Sequence, residues 1–236
     1  MITYGNNKYF QSKKRLISEA HKSEFFETVT EYGPDDLTSD FKKKNKRILN
    51  KYFKGAGFWI WKLDIIKQKL KCIDDNEYLI YLDAGCSINK LGEKRYKEYI
   101  EMLEKSNYGI ISFQMEHIPE RHYTTKEIFD YFNVDIDSEI SLSGQLIATV
   151  LIMKKNKHLK NIIDLMEKCL IDNSLLFTDN YNKNQNEYFI DNRHDQSVLS
   201  VIRKKKGSIV LKDETWFKKF GKKKSLSFPF WATRKK

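Results

Sequence analysis

Residues 78–86 constrain the fold more than any other stretch of this chain. Tyr78-Leu79-Ile80-Tyr81-Leu82 is a near-continuous apolar run that leads directly into Asp83-Ala84-Gly85-Cys86. Its length is that of a strand rather than a helix, and a strand without polar alternation must be covered on both faces. Similar runs recur at Gly109–Phe113 and Leu146–Met153. Further strand signals stand at Ile2–Tyr4, Phe25–Tyr32 and Ser208–Leu211. Between them, helical spacing predicts helices near Tyr9–Ala20, Phe41–Phe53, Leu63–Cys72, Lys94–Glu104, His158–Leu170 and Gln196–Lys204. Strands alternating with helices at this spacing imply a single α/β domain with a mostly parallel central sheet flanked by helices. No repeat or low-complexity linker divides the 236 residues, and Asn180–Asn186, the most loop-like stretch, is too short for a domain boundary.

In open α/β sheets, ligands bind beyond the carboxyl ends of the strands. That rule selects Asp83, where an acid can reach a metal or a ribose hydroxyl while Ala84 and Gly85 leave room for a ligand. The competing reading is a side chain that only caps the following turn. Gly55-Ala56-Gly57-Phe58-Trp59-Ile60-Trp61-Lys62 is the second candidate. On a strand its two tryptophans would share a face and Lys62 would point to the other. The tryptophans read equally as a core wedge, but a lysine in an apolar cluster needs an anionic partner, and a diphosphate would serve.

Asp191-Asn192-Arg193-His194-Asp195-Gln196 precedes an apolar helix. Asp195 is either its N-cap or a general base with His194 or Arg193 close by. Ser143-Gly144-Gln145 feeds the strand at Leu146, as an ordinary turn or as a contact for sugar hydroxyls. His117 and His122 flank Pro119 and read as loop residues rather than a zinc pair.

The net charge of +11 first suggests nucleic acid, and a nucleic-acid-binding protein or nuclease is the alternative function. Its distribution argues otherwise. Residues 203–236 carry 13 basic side chains against Asp213 and Glu214, which accounts for the whole excess; the first 202 residues are balanced. A neutral body does not provide the positive field that wrapping by nucleic acid requires. With 40% hydrophobic and 14% aromatic residues the chain is globular rather than disordered. No Walker-A loop, GxGxxG, HExxH or GxSxG is present, which disfavours P-loop ATPases, kinases, dinucleotide oxidoreductases, zincins and α/β-hydrolases. The three cysteines are widely spaced and suggest neither a zinc knuckle nor a disulfide framework.

Taken in order, five motifs carry a resemblance. They are a first strand ending in Thr3-Tyr4-Gly5, the G-x-G-F-W-x-W-K block ending at Lys62, Tyr81-Leu82-Asp83-Ala84-Gly85, Ser143-Gly144-Gln145, and Arg193-His194-Asp195-Gln196. The chain resembles small nucleotide-sugar-dependent glycosyltransferases of the GT-A (Rossmann-like) fold, which occur in bacterial surface-polysaccharide clusters (capsule, lipopolysaccharide) and in large DNA viruses. The likeness runs from Ile2 to Arg234. It implies transfer of a sugar from a nucleoside-diphosphate sugar to a glycan or lipid-linked acceptor, with inversion the favoured outcome. It puts the donor nucleotide against Thr3, Tyr4 and Gly5, and gives Asp83 the place of the first acid of a D-x-D signature, which helps hold Mn²⁺ or Mg²⁺ on the diphosphate. The third position of that signature is Gly85, a departure that puts metal dependence in question: a single carboxylate with two phosphates and water can still hold a hard cation, or a basic group such as Lys62 or Arg234 neutralises the leaving diphosphate instead. The resemblance favours the sugar being read near Gly144 and Gln145. An inverting transfer needs a carboxylate on the acceptor side, for which Asp195 is the choice, beside His194, with Glu116 and Glu120 in reserve.

The resulting division is a glycosyltransferase domain over 1–212 and a basic aromatic segment over 213–236 packed on it. In that segment Trp216, Phe217, Phe220 and Phe228–Trp231 alternate with lysines. This mixture suits an anionic membrane surface, at about 1 kcal/mol per basic residue, or equally a solvated tail packed by its aromatics. A noncatalytic membrane-surface adaptor is the third function considered. The opening MITYGNNKYF has no signal-peptide pattern and no apolar run reaches membrane-spanning length. A cytoplasmic protein, peripheral at the inner face of the membrane, is the expectation.

Overall fold

The structure, a computed structural model, describes residues 1–235; Lys236, the last residue of the expected basic segment, lies outside them. Its framework begins with β1 (Ile2–Tyr4), α1 (Phe10–Ser23), β2 (Thr30–Tyr32), α2 (Trp61–Lys71) and β3 (Tyr78–Leu82). Next come β4 (Ser87–Ile88), α3 (Glu93–Glu104), β5 (Ile110–Pro119), β6 (Gly144–Leu146) and β7 (Val150–Lys154). The chain then forms α4 (Lys157–Asp172), α5 (Asp195–Lys206), β8 (Ile209–Lys212) and β9 (Phe230–Trp231). The main sheet has the order β2-β1-β3-β7-β5-β6, with β8 also on β5, and β4 pairs separately with β9.

Packing explains why β3 lacks polar alternation. Leu79 and Tyr81 belong to one core, beneath α2, α4 and α5, together with Leu151 and Met153 of β7. Ile80 and Leu82 belong to the opposite core, beneath α1 and α3, with Val150 and Ile152. Successive side chains point to opposite faces, and each face is roofed by helices. The expected single α/β domain is therefore a three-layer structure.

The sheet itself is mixed rather than mostly parallel. β1 runs parallel to β2 and β3, and β8 parallel to β5, whereas β7 is antiparallel to β3 and β5, and β6 to β5. Ile111 pairs with both Ile152 and Ile209, and Gln114 with both Leu146 and Lys212, so β6 and β7 share one edge of β5 and β8 takes the other. The helices between β5 and β6 have only 4 to 6 residues, too short to carry the chain back across the sheet for a parallel return. The next strand must run back alongside β5.

Three further expectations change. The run Leu146–Met153 is broken between β6 and β7, and side chains from elsewhere in the chain take up freed backbone groups. Buried Arg203 donates to the carbonyls of Leu146 and Ile147 at 3.0 and 2.8 Å, and Ala148 N donates to Gln196 Oε1 at 3.1 Å. Only Thr30–Tyr32 of the strand expected over Phe25–Tyr32 pairs with β1. Phe25 and Phe26 instead pack their rings on Tyr96 of α3, at 4.8 and 5.9 Å between centroids. The helix expected over Phe41–Phe53 divides at Asn45 into Ser39–Lys44 and Lys46–Lys51.

Candidate active site

A cleft of about 920 Å³ opens beyond the ends of β1 and β3. Tyr4 and Gly5 from the end of β1, Lys62 from α2, and Asp83, Ala84 and Gly85 after β3 all line it. His194, Asp195 and Arg234 line it too, so nine of the residues singled out in the sequence meet in one place. Thr3 does not: it is wholly buried in β1. Gly144 and Gln145 also stand outside the lining. Gly144 packs against β5, where an added Cβ would lie 2.3 Å from Met115 O.

Gln145 is fully buried behind the cleft wall. Its Oε1 accepts from Gln196 Nε2 at 2.6 Å and its Nε2 donates to Glu120 Oε1 at 2.9 Å. Glu120 is wholly buried and paired with Lys204 at 2.8 Å, which removes it from the acceptor side; Glu116 is exposed and paired with Lys212 at 2.6 Å. His117 sits in β5 and His122 in the helix Glu120–Tyr123, not in loops.

The block ending at Lys62 is not a strand. Gly55, Ala56, Gly57, Phe58 and Trp59 all have positive φ, from 51° to 94°, which makes one left-handed turn. Such a conformation costs about 1–2 kcal/mol at each non-glycine residue, so glycine at 55 and 57 reduces the strain. The turn is held by Trp61 Nε1, which donates to Gly55 O at 2.8 Å. Trp61 stacks on Tyr4 with centroids 3.7 Å apart, so the two tryptophans do not share a face as they would on a strand. Trp59 and Phe58 lie against the His194 ring at 5.5 and 4.7 Å.

Lys62 now sits at the first turn of a helix, which aims its side chain at the strand break. Its Nζ donates to Asp195 Oδ2 at 2.6 Å and to Ala148 O at 3.0 Å, and lies 3.7 Å from Asp83 Oδ1. Burial opposes its charge, but the carboxylates of Asp195 and Asp83 outweigh burial and hold the ammonium above the ordinary lysine range. Asp195 is the first helical residue of α5, one position beyond the N-cap, so it does not cap the helix. Burial raises its carboxyl to about 6 against the opposing pull of Lys62. Asp83 accepts from the Tyr81 hydroxyl at 2.5 Å, and burial keeps that phenol neutral. Tyr81 passed as one more apolar residue in the sequence; the period of two, which puts positions 81 and 83 on one side of a strand, was the available signal.

His194 holds the N-cap position with φ 56° and ψ −118°, a sparsely populated conformation for a non-glycine residue. Its Nε2 pairs with Asp179 Oδ1 at 2.7 Å, and Asp179 is in turn bonded by Lys54. Burial lowers the imidazole pKa despite Asp179, which leaves the ring neutral and fixed.

A divalent cation on the donor diphosphate was expected at Asp83, and the residues present do not fit one. Among the described residues no group of three or more His, Cys, Asp or Glu side chains converges on a metal position. Asp83 is a single carboxylate already facing Tyr81 and Lys62, and a second acid at position 85 would need the backbone beside it to give way. A Cβ on Gly85 would lie 3.2 Å from Arg234 Cα and 3.3 Å from Lys235 O.

The C-terminal segment is part of the same body. Glu214 pairs with Arg95 at 2.8 Å, Phe230 is buried, and Lys235 N donates to Gly85 O at 3.0 Å. Among the described residues no helix is long and apolar enough to cross a membrane.

The sequence matches no protein-family model and no curated protein. Solved structures do match. WbbM, a bifunctional glycosyltransferase, superposes with a TM-score of 0.50 at 12% identity over 91% of this chain; the chain spans 39% of the length of that protein. A glycosyltransferase involved in glycosylation of the major capsid of PBCV-1 aligns over 98% of this chain and 91% of its own, at 14% identity and a TM-score of 0.47. The galactosyltransferase LgtC, solved with donor and acceptor sugar analogues, aligns over 92% of this chain and 74% of its own, at 11% identity and a TM-score of 0.43. The chain has a GT-A-like α/β fold, shared with a glycosyltransferase.

Proposed function

We propose that this protein is a glycosyltransferase that moves a sugar from a nucleoside-diphosphate sugar to a hydroxyl of a glycan or lipid-linked acceptor. The observation that carries the reading is the convergence of Asp83, Lys62 and Asp195 at the carboxyl end of β3, in a cleft large enough for a nucleotide sugar. The GT-A-like fold supports it at the level of architecture. The donor nucleotide would lie along Tyr4 and Gly5, where the Tyr4–Trp61 stack offers an aromatic surface.

Asp195 is the base. Lys62 engages Oδ2 and leaves Oδ1 for the acceptor hydroxyl. As that proton passes to Asp195, the acceptor oxygen bonds to the anomeric carbon, the bond from that carbon to the diphosphate oxygen breaks, and the configuration inverts. The electron pair leaves on the diphosphate, which needs positive charge beside it. His194 holds the start of α5 in place through Asp179 and the Phe58 ring rather than moving a proton.

The acceptor end of the reading draws on the surface. Lys218, Lys219, Lys222, Lys223 and Lys224 are all exposed, as is Trp216. That patch supports contact with an anionic membrane, where a lipid-linked acceptor would be met.

Release of nucleoside diphosphate across a panel of UDP-, GDP- and dTDP-linked sugars tests the function. Turnover of one donor class that Asp195→Asn abolishes, with donor binding retained, is the expected result. No release from any donor refutes the enzyme reading, and unchanged turnover in Asp195→Asn refutes the base.

A further inference from the structure

Where a second metal-binding acid would stand, this chain brings cations. Thr233 Oγ1 donates to Gly85 O at 2.8 Å and Lys235 N to the same oxygen at 3.0 Å. Those bonds lay the backbone of Arg234 across the Asp83–Gly85 turn, with Arg234 and Lys235 both lining the cleft. From below, Arg15 Nη2 donates to the carbonyls of Ala84 and Cys86 at 3.2 and 2.8 Å, so the turn is fixed in that position.

Arg193 also lines the cleft. Its guanidinium lies 3.8 Å above the Tyr123 ring, and its Nη1 is 3.5 Å from Gln145 Oε1. Among the described residues no carboxylate pairs with Arg193, Arg234 or Lys235. The four acids of the cleft make their bonds elsewhere: Asp83 and Asp195 with Lys62, Asp213 with the hydroxyl of Thr215 at 2.7 Å, and Asp191 with the backbone N–H of Asn192 at 2.9 Å. Burial lowers the pKa of Arg193, and the positive charge of Arg234 adds to that lowering. Three cations that no carboxylate pairs with form a site for an anion of more than one charge.

We infer that the donor diphosphate is bound without a divalent cation, its charge met by Arg234, Lys235 and Arg193, so that the C-terminal segment is one wall of the donor site. The inference rests on the nucleotide-sugar reading above and assigns how that donor is held. Arginine suits the task because its planar fork bonds two phosphate oxygens at once and keeps its charge. Gly85 serves the opposite purpose to a metal ligand: without a side chain it lets the Arg234 and Lys235 backbone approach, where a Cβ would lie 3.2 and 3.3 Å from them.

Calorimetric titration of the full chain with UDP, GDP and inorganic pyrophosphate, each in EDTA and in excess Mn²⁺, tests this. One nucleoside diphosphate and pyrophosphate should bind with dissociation constants that differ by less than about threefold between the two conditions. Arg234→Gln and Arg193→Gln should each weaken binding about tenfold or more, with unliganded melting temperatures unchanged. Binding that appears only with Mn²⁺ and vanishes in Asp83→Asn overturns the inference while leaving the donor reading intact. Undiminished binding by both arginine variants overturns the assignment as well. If no probe binds under either condition, the nucleotide-sugar reading itself falls.

Discussion

The ammonium of Lys62 lies 2.6 Å from the carboxylate of Asp195, and both side chains are about 95% or more buried. Separated by 133 positions in the chain, they join the first turn of α2 to the first turn of α5 in the lining of the cleft. Removing one partner of such a pair strands the other charge in an apolar site, at a cost of about 3–5 kcal/mol. Lys62→Met should lose that much stability in urea unfolding. Lys62→Met combined with Asp195→Leu should recover a large part, because the buried carboxylate goes with its partner and Asp83, about a third exposed, keeps water and the Tyr81 hydroxyl. A loss below about 1 kcal/mol in the single variant would mean that water already solvates the pair.

Stability and turnover should respond to pH in opposite directions through Asp195. Burial raises its carboxyl from the ordinary aspartate range to about 6 in the folded chain. Between these values the folded chain binds the proton more tightly than the unfolded chain, so this group favours folding at low pH. Its contribution is lost as pH rises through about 6. The base, by contrast, works only as the carboxylate. Turnover should therefore rise with a midpoint near pH 6 while the unfolding midpoint contributed by this group falls. Asp195→Asn should flatten the stability trend and remove the turnover. A profile flat from pH 5 to 7 in the unsubstituted protein would exclude the assignment.

The strand and its terminal acid were legible because both are local. An apolar run of five residues can only be buried twice over, and the acid that ends it falls at the mouth of the sheet. The five motifs were legible as a set for the same reason, since each is short and contiguous. What stayed hidden depends on partners far away in the chain. Nothing in Leu146–Met153 marks the break at Ala148; it exists because Lys62, Gln196 and Arg203 reach in to satisfy its backbone. Gln145 looked like a ligand-reading amide, yet a second amide and a buried glutamate claim it from behind. Lys235 was lost in a terminal run of basic residues, where no local signal distinguishes a lysine over the cleft from one in solvent.

Restoring an acid at the third position of the strand-end motif should harm the protein rather than equip it for metal. A side chain on residue 85 meets the Arg234 and Lys235 backbone at 3.2 and 3.3 Å, tighter than ordinary contact. Backbone yields less readily than the tip of a flexible side chain, so overpacking of about 1–3 kcal/mol is the expectation for Gly85→Asp. Differential scanning should show a lowered melting temperature, with no rise on adding Mn²⁺. A melting temperature that rises with Mn²⁺ in Gly85→Asp would mean that the segment moves aside and a two-carboxylate site can form.

The basic surface makes its own prediction, separable from chemistry because its lysines stand away from the cleft. Lys222, Lys223 and Lys224 are exposed, do not line the cleft, and belong to the short helical turn that precedes β9. If they attract anionic lipid at about 1 kcal/mol each, replacing all three by serine should weaken binding to phosphatidylserine-containing vesicles by roughly a hundredfold. Binding of the unsubstituted protein should also fall as salt is raised, since exposed charges are screened over about 10 Å at 0.1 M. Turnover of a soluble acceptor should be unchanged in the triple variant, whereas turnover of an acceptor embedded in anionic vesicles should drop with the lost affinity. Cosedimentation with anionic and with neutral vesicles measures the first effect, and equal binding to both would assign the patch to solvent rather than to a membrane.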